Sequence, residues 1–135
     1  MKVKFKIIED GKLPEYKTSG ASCMDCYARE GKKVWLKPVL VPLGFAVQLP
    51  EGFEAQVRPR SGMSKNAHHV STGTVDSDYI GEVSACIWSL FPYHVNKGDR
   101  VCQLYIGESQ QHEVELVDTL EETERGSGGF GHTGR

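Results

Sequence analysis

The sequence lacks a large excess of either charge. Sixteen Lys and Arg against eighteen Asp and Glu leave a net charge of −2, without the basic footprint that a nucleic-acid binder normally carries. It lacks any apolar run near the ~18 residues of a membrane span. Its opening, MKVKFKIIEDG, alternates Lys with apolar residues and has no continuous apolar stretch of the signal-peptide kind. A cytoplasmic protein with neither nucleic acid nor membrane as partner is the expectation. Cysteine is sparse, at positions 23, 26, 86 and 102. Cys23-Met24-Asp25-Cys26 is a C-x-x-C pair with no second pair to complete a zinc set, and the adjacent His68 and His69 would point to opposite faces of a strand. The thiols therefore read as small apolar residues. Also missing are a long amphipathic helix and any internal repeat.

Strand signals fill the space. The 135 residues suit one domain with its own core. Val3, Phe5 and Ile7 alternate with lysines. Residues 34–41 are β-branched and apolar, but Pro38 and Pro42 confine them to edges or bends. Residues 44–49 read as a strand ending at the turn Pro50-Glu51-Gly52. Phe53, Ala55 and Val57 come next in alternation, which predicts a hairpin. A short helical turn is expected near residues 61–66. Val83, Ala85 and Ile87 alternate in turn. Asn96-Lys97-Gly98-Asp99 predicts a turn before a strand over 100–106, and Val114 and Leu116 close the series. Short strands with recurrent turns predict an all-β sandwich or barrel. From Thr119 the apolar pattern stops, giving a domain over 1–118 and an arm over 119–135. Those seventeen residues can reach roughly 50 Å if extended, enough to cross onto a neighbouring subunit.

Five of the fifteen glycines fall in the last ten residues, Gly126-Ser127-Gly128-Gly129-Phe130-Gly131-His132-Thr133-Gly134-Arg135. The spacing Gly126-x-Gly128-x-x-Gly131 imitates a dinucleotide fingerprint. Such a fingerprint must open a helix, and only four residues remain after Gly131. No Gly-Lys-Ser/Thr of a phosphate loop is present in the segment either. What distinguishes this tail from a plain glycine-rich terminus is Arg125 and Phe130, a phosphate partner and a stacking ring. Three internal clusters carry similar chemistry. Arg60-Ser61-Gly62 offers a guanidinium fork, a hydroxyl and an unobstructed backbone N–H. Asp76 and Asp78 lie two apart within the glycine-bounded residues 73–81, with Tyr79 beside them, and a carboxylate there can act as general base for water. Arg100 and Gln103 flank a strand start, and Gln103 can orient a water or a phosphate oxygen.

In order and wording these clusters resemble the five motifs of the trimeric dUTP pyrophosphatases (dUTPases). Ser22-Cys23-Met24-Asp25-Cys26-Tyr27-Ala28 is similar to the first motif and Pro59-Arg60-Ser61-Gly62 to the second. Residues 73–81 are similar to the third, 98–104 to the fourth and 125–131 to the fifth. The resemblance implies a β-clip, a distorted jelly-roll barrel, assembled as a homotrimer with each active site formed between subunits. It implies hydrolysis of dUTP to dUMP and pyrophosphate. Asp76 would activate the water and Gln103 would position it or the α-phosphate. Arg60, Ser61 and Gly62 would bind phosphates. The third motif, with Gly73, Thr74 and Val75, would form a hairpin whose backbone reads uracil, and Tyr79 would pack under the deoxyribose. Asp25 and Arg100 would support the site structurally. Mg²⁺ would sit on the triphosphate oxygens and be held otherwise through waters, with no direct protein ligand. The third subunit's tail would place Phe130 over uracil, Arg125 on the γ-phosphate and Gly131 against the nucleotide.

Several positions depart from the family's usual wording. Ser22-Cys23 stands where Ala-Gly is common, Ile80 where Arg is common, Met63-Ser64 where Leu-Ala is common, and His132 where Ser is common. None removes a group named above. A dCTP deaminase of the same fold typically carries Arg-Ser-Ser, whereas this chain has Arg60-Ser61-Gly62. A purely regulatory nucleotide switch would be favoured by loss of Asp76 or of the tail, and both are present.

Overall fold

The computed structural model describes residues 1–134. Their strands are β1 (Lys4–Ile7), β2 (Met24–Tyr27), β3 (Lys32–Val34), β4 (Val39–Pro42), β5 (Phe45–Gln48), β6 (Phe53–Arg58), β7 (His68–Val70), β8 (Gly73–Val75), β9 (Ser84–Ser89), β10 (Tyr93–Val95) and β11 (Arg100–Glu108), with a helix α1 (Ser61–Lys65) after β6. They pair antiparallel into a four-stranded sheet, β2-β11-β6-β8, a three-stranded sheet, β4-β9-β7, and two ribbons, β1-β5 and β10-β3. Phe45, Leu43, Ile87, Leu104, Val34, Val41 and Val47 are fully buried between these layers. Each such side chain contributes about 1.5–3 kcal/mol by leaving water.

The alternation read from the sequence holds where one face is covered. In β9, Ala85 and Ile87 are buried while Ser84, Cys86 and Trp88 are half-exposed. The apolar stretch at 34–41 splits into β3 and β4, with Leu36 at φ 51° between them. Pro42 ends β4, an edge strand of its sheet. The expected helical turn is α1. Two expectations fail. The turn at Pro50-Glu51-Gly52 forms, with Phe53 N–H donating to Pro50 O at 3.2 Å and Gly52 at φ 84°, yet it closes no hairpin. β5 pairs with β1, while β6 pairs with β11 and β8. Strand alternation and a turn are common to a hairpin and to a chain crossing between layers, and here the buried Val47 and Leu49 hold β5 in the other layer. Val114 and Leu116 form no strand: they are 92% and 98% exposed. Their last backbone tie to the body is Ser109 N–H to Gly52 O at 2.8 Å, and an alternating segment without a neighbouring strand has nothing to pair with.

All four thiols are free. Cys26 and Cys102 are buried core residues opposite one another on β2 and β11, and Cys102 together with burial raises the Cys26 thiol far above its ordinary range. His68 stacks on Tyr93 with ring centroids 3.7 Å apart, and its Nδ1 meets the buried Ser89 Oγ at 2.9 Å. Burial pushes the His68 imidazole below its ordinary value of 6.5. The neutral form is favoured in the folded state, so this contribution to stability is intact above about 6.5 and is lost as pH falls through that value toward the depressed one. Urea midpoints at about pH 7.5 and about pH 5.5 should therefore differ more for the wild type than for His68→Phe, which keeps the stack. Equal differences would remove His68 from that role.

Candidate active site

Three of the polar clusters meet on the outer face of the four-stranded sheet. On a regular strand Arg100 and Gln103, three apart, would face opposite ways. The ladder between β2 and β11 shifts register between Arg100 and Cys102, so that Arg100 opposes Tyr27 while Cys102 opposes Cys26 and Gln103 opposes Asp25. This one-residue bulge buries Val101 and Cys102 in succession and brings both polar side chains to Asp25's side. Arg100 Nη1 lies 3.2 Å from Asp25 Oδ2, and Arg60 Nε lies 3.2 Å from Asp25 Oδ1. The Asp25 side chain retains 13% exposure, so one shielded carboxylate holds two guanidinium groups. The Arg60 bond uses Nε, and among the described residues its terminal nitrogens make no hydrogen bond. Gln103 Nε2 donates to Pro59 O at 2.9 Å, which fixes the amide and leaves Oε1 as the acceptor. Ser61 and Gly62 open α1 and are exposed. Nothing lies within 4 Å of where a Gly62 Cβ would sit.

The third motif gathers around a separate cavity. β8 pairs with the outer half of β6, Ala55 opposite Val75 and Val57 opposite Gly73. Val75 is buried as the anchor, and Asp76 beyond it is exposed. Tyr79 N–H donates to Asp76 O at 3.1 Å, closing a turn over residues 76–79. The motif thus contains a strand and a turn rather than the expected self-paired hairpin, because β8 spends one edge on β6 and the chain then crosses to β9 in the other sheet. Gly73, Thr74, Val75, Asp76, Tyr79 and Glu82 line a cavity of about 330 Å³. Asp76 also borders a larger polar cleft of about 650 Å³ with Asp78, Glu51 and Glu54. Tyr79 Oη donates to Glu82 O at 2.8 Å. The Glu82 carboxylate accepts from Arg29 Nε and Nη2 at 2.8 and 3.1 Å and from Gly44 N–H at 2.9 Å. Arg29 beside it holds the Glu82 carboxyl below its usual range.

One chain does not bring the two halves together. Ala55 is level with Val75 on one side of β6, and Arg58 is level with Gln103 on the other. Asp76, one residue beyond Val75, is thus level with Glu54, four positions from Arg58, which is roughly 13 Å along a strand. Arg60 Nε reaches Asp25, which is level with Gln103 and so with the Arg58 end of β6.

The tail joins neither half. Arg125 Nε donates to Gly128 O at 2.7 Å, and Gly126 N–H donates to Thr123 Oγ1 at 3.1 Å. Gly126, Phe130 and Gly131 have positive φ, 59°, 45° and 85°, and Phe130 is wholly exposed. Among the described residues no hydrogen bond links 119–134 to the strands.

The dUTPase family model matches residues 9–134. The chain belongs to the dUTPase family. It is 41% identical, over 99% of both chains, to the deoxyuridine 5'-triphosphate nucleotidohydrolase of Finegoldia magna. Its fold matches that of a Staphylococcus bacteriophage 80alpha dUTPase with dUPNHPP, at a TM-score of 0.91 and 23% identity over 99% of each chain. It also matches a mutant dUTPase of S. aureus phage phi11 described for its coordination of a structural Mg(II) ion. There the TM-score is 0.84 and the identity 19%, over 90% of this chain and 100% of that one. The architecture is accordingly the β-clip of dUTPases.

On that frame, the residues of the first, second and fourth dUTPase motifs converge at Asp25. Gly73, Thr74, Val75, Asp76 and Tyr79 of the third share one cavity, and those of the fifth stand apart. The sequence did not reveal Arg29 or the role of Glu82. They lie 53 positions apart, and neither sits in a local pattern that announces a partner. Among the described residues no helix is long and apolar enough to cross a membrane.

Proposed function

We propose that the protein hydrolyses dUTP to dUMP and pyrophosphate in the cytoplasm, as a homotrimer whose sites are shared between subunits. The observation that carries this reading is the division of the sheet. An exposed carboxylate and an aromatic ring line a nucleoside-sized cavity at one end, and guanidinium and amide groups cluster at the other. Each half is incomplete without a second copy that places its Arg60 end against the Asp76 end. β8 is an edge strand, so its outer N–H and C=O groups are free to bond a planar base edge. Uracil offers N3–H as a donor between two carbonyl acceptors, and cytosine reverses part of that pattern. Tyr79 packs against the deoxyribose and leaves no room for a 2′-hydroxyl.

In the reaction Asp76 accepts a proton from water as its oxygen bonds to the α-phosphorus. The bond from that phosphorus to the bridging oxygen breaks, and pyrophosphate leaves. Gln103 Oε1, fixed by the Pro59 contact, accepts the water's second hydrogen. Arg60, Ser61 and Gly62 hold phosphate oxygens. The exposed carboxylates of Asp76 and Asp78 offer hard oxygens that would hold Mg²⁺ through bridging water, and Mg²⁺ would supply charge neutralisation for the triphosphate. Residues 119–135 of a further copy close over the nucleotide, Arg125 on the γ-phosphate and Phe130 on the base.

With Mg²⁺ the protein should release pyrophosphate from dUTP and no ammonia from dCTP, and UTP should be a poor substrate. Tyr79→Ala should narrow the gap in kcat/KM between dUTP and UTP. Equal kcat/KM for the two in the wild type would remove Tyr79 from sugar discrimination, and absence of pyrophosphate would overturn the function.

A further inference from the structure

A ring can reject a hydroxyl only if it does not swing aside. The Tyr79 ring is held at its hydroxyl by the Glu82 carbonyl, 2.8 Å away, and it lies over Gly81. A Cβ on Gly81 would stand 2.6 Å from Tyr79 Oη and 2.8 Å from Cζ. Gly81 is not among the residues of positive φ, so the ring rather than the backbone requires the missing side chain. Glu82 is itself clamped. Its carboxylate takes two bonds from Arg29 and one from the Gly44 backbone. Arg29 Nη1 also reaches Glu9 at 2.8 Å, and the Arg29 and Glu82 side chains keep only 15% and 22% exposure. The forked geometry of the guanidinium fixes both carboxylate oxygens at once. Glu82 is thereby tied to Gly44 just before β5 and to Arg29 just past β2.

We propose that Arg29 is a positioning residue for sugar discrimination. By clamping the Glu82 carboxylate it fixes the Glu82 carbonyl that holds the Tyr79 hydroxyl, and Gly81 supplies the gap the ring occupies. This rests on the reading that Tyr79 packs against the deoxyribose. Rejection of one added hydroxyl by packing alone is modest, on the order of 10²-fold, and it shrinks when the supporting residues are loose. Arg29 touches no substrate. Its effect is on the ring's freedom, so it should alter the choice between substrates more than the chemical step.

The test compares kcat/KM for dUTP and UTP in the wild type, Arg29→Ala, Arg29→Lys and Gly81→Ala, with Tm measured for each. The dUTP/UTP ratio should fall about tenfold in Arg29→Ala and in Gly81→Ala, largely through a rise in the relative use of UTP. Arg29→Lys should keep part of the ratio, because an ammonium reaches one carboxylate oxygen where the guanidinium reaches two. A purely structural role would lower Tm and depress both substrates alike. Gly81→Ala leaves the clamp intact and Arg29→Lys keeps the charge, so these two carry the test if Arg29→Ala does not fold. A ratio within about twofold of wild type in folded Arg29→Ala, or in Arg29→Lys and Gly81→Ala together, overturns the proposal. A wild type that does not prefer dUTP would instead overturn the role of Tyr79 on which it rests.

Discussion

Asp76→Asn should leave the protein folded and able to hold dUTP while hydrolysis falls about 10²–10⁴-fold, the usual cost of losing a general base. The fold should survive because Asp76 lends no side-chain bond to the core. Its backbone carbonyl closes the turn to Tyr79, and its side chain stands in solvent at the junction of two cavities. Asn is nearly the same size and still offers an oxygen to the same water, so binding and positioning are retained. What is lost is a group that takes the proton as the oxygen bonds to phosphorus. The measurements are single-turnover pyrophosphate release and, separately, affinity for a non-hydrolysable dUTP analogue. Turnover within a few-fold of wild type would assign the base elsewhere, with Asp78 the nearest alternative on the shared cleft.

The residue clusters of this site were legible in the sequence because each motif is local. Pro59-Arg60-Ser61-Gly62 and residues 73–81 keep their identities whatever sheet they join. Strand positions were legible for a related reason: Ala85 and Ile87, or Ala55 and Val57, reveal a buried face wherever alternation meets a covered sheet. Pairing was not legible. The turn at Gly52 looks the same whether the next strand folds back or crosses to another layer, and it crosses. The bulge at Val101 was hidden as well. A single extra residue changes which face Arg100 shares with Gln103, and nothing in the residue types marks it. The Arg29–Glu82 clamp was hidden by distance along the chain. Val114 and Leu116 misled in the opposite direction, since an alternating pattern states what a segment can pair with, not whether a partner lies in the same chain.

Ending the chain after Glu124 should leave the assembly folded and remove most hydrolysis. None of residues 125–134 contributes to the hydrophobic core, and among the described residues none bonds to a strand. Losing the partner of the γ-phosphate together with the ring over the base should cost about 10²–10³-fold or more, the scale for removing one well-placed charge partner. The arm's lack, among the described residues, of any bond to the strands gives a sharper experiment. In the homotrimer proposed above, mixing the truncated protein with full-length Asp76→Asn would let an arm from one chain close over an intact Asp76 of another. Random assortment in a closed ring would complete about a quarter of the sites at equal mixing, and activity should return to that order. Neither protein alone can do this, because one lacks every arm and the other every base. Subunit exchange can be verified by mass spectrometry of differently tagged chains. Exchange without recovered activity would mean that each arm serves the Asp76 of its own chain, and the arm would then not be an element shared between subunits.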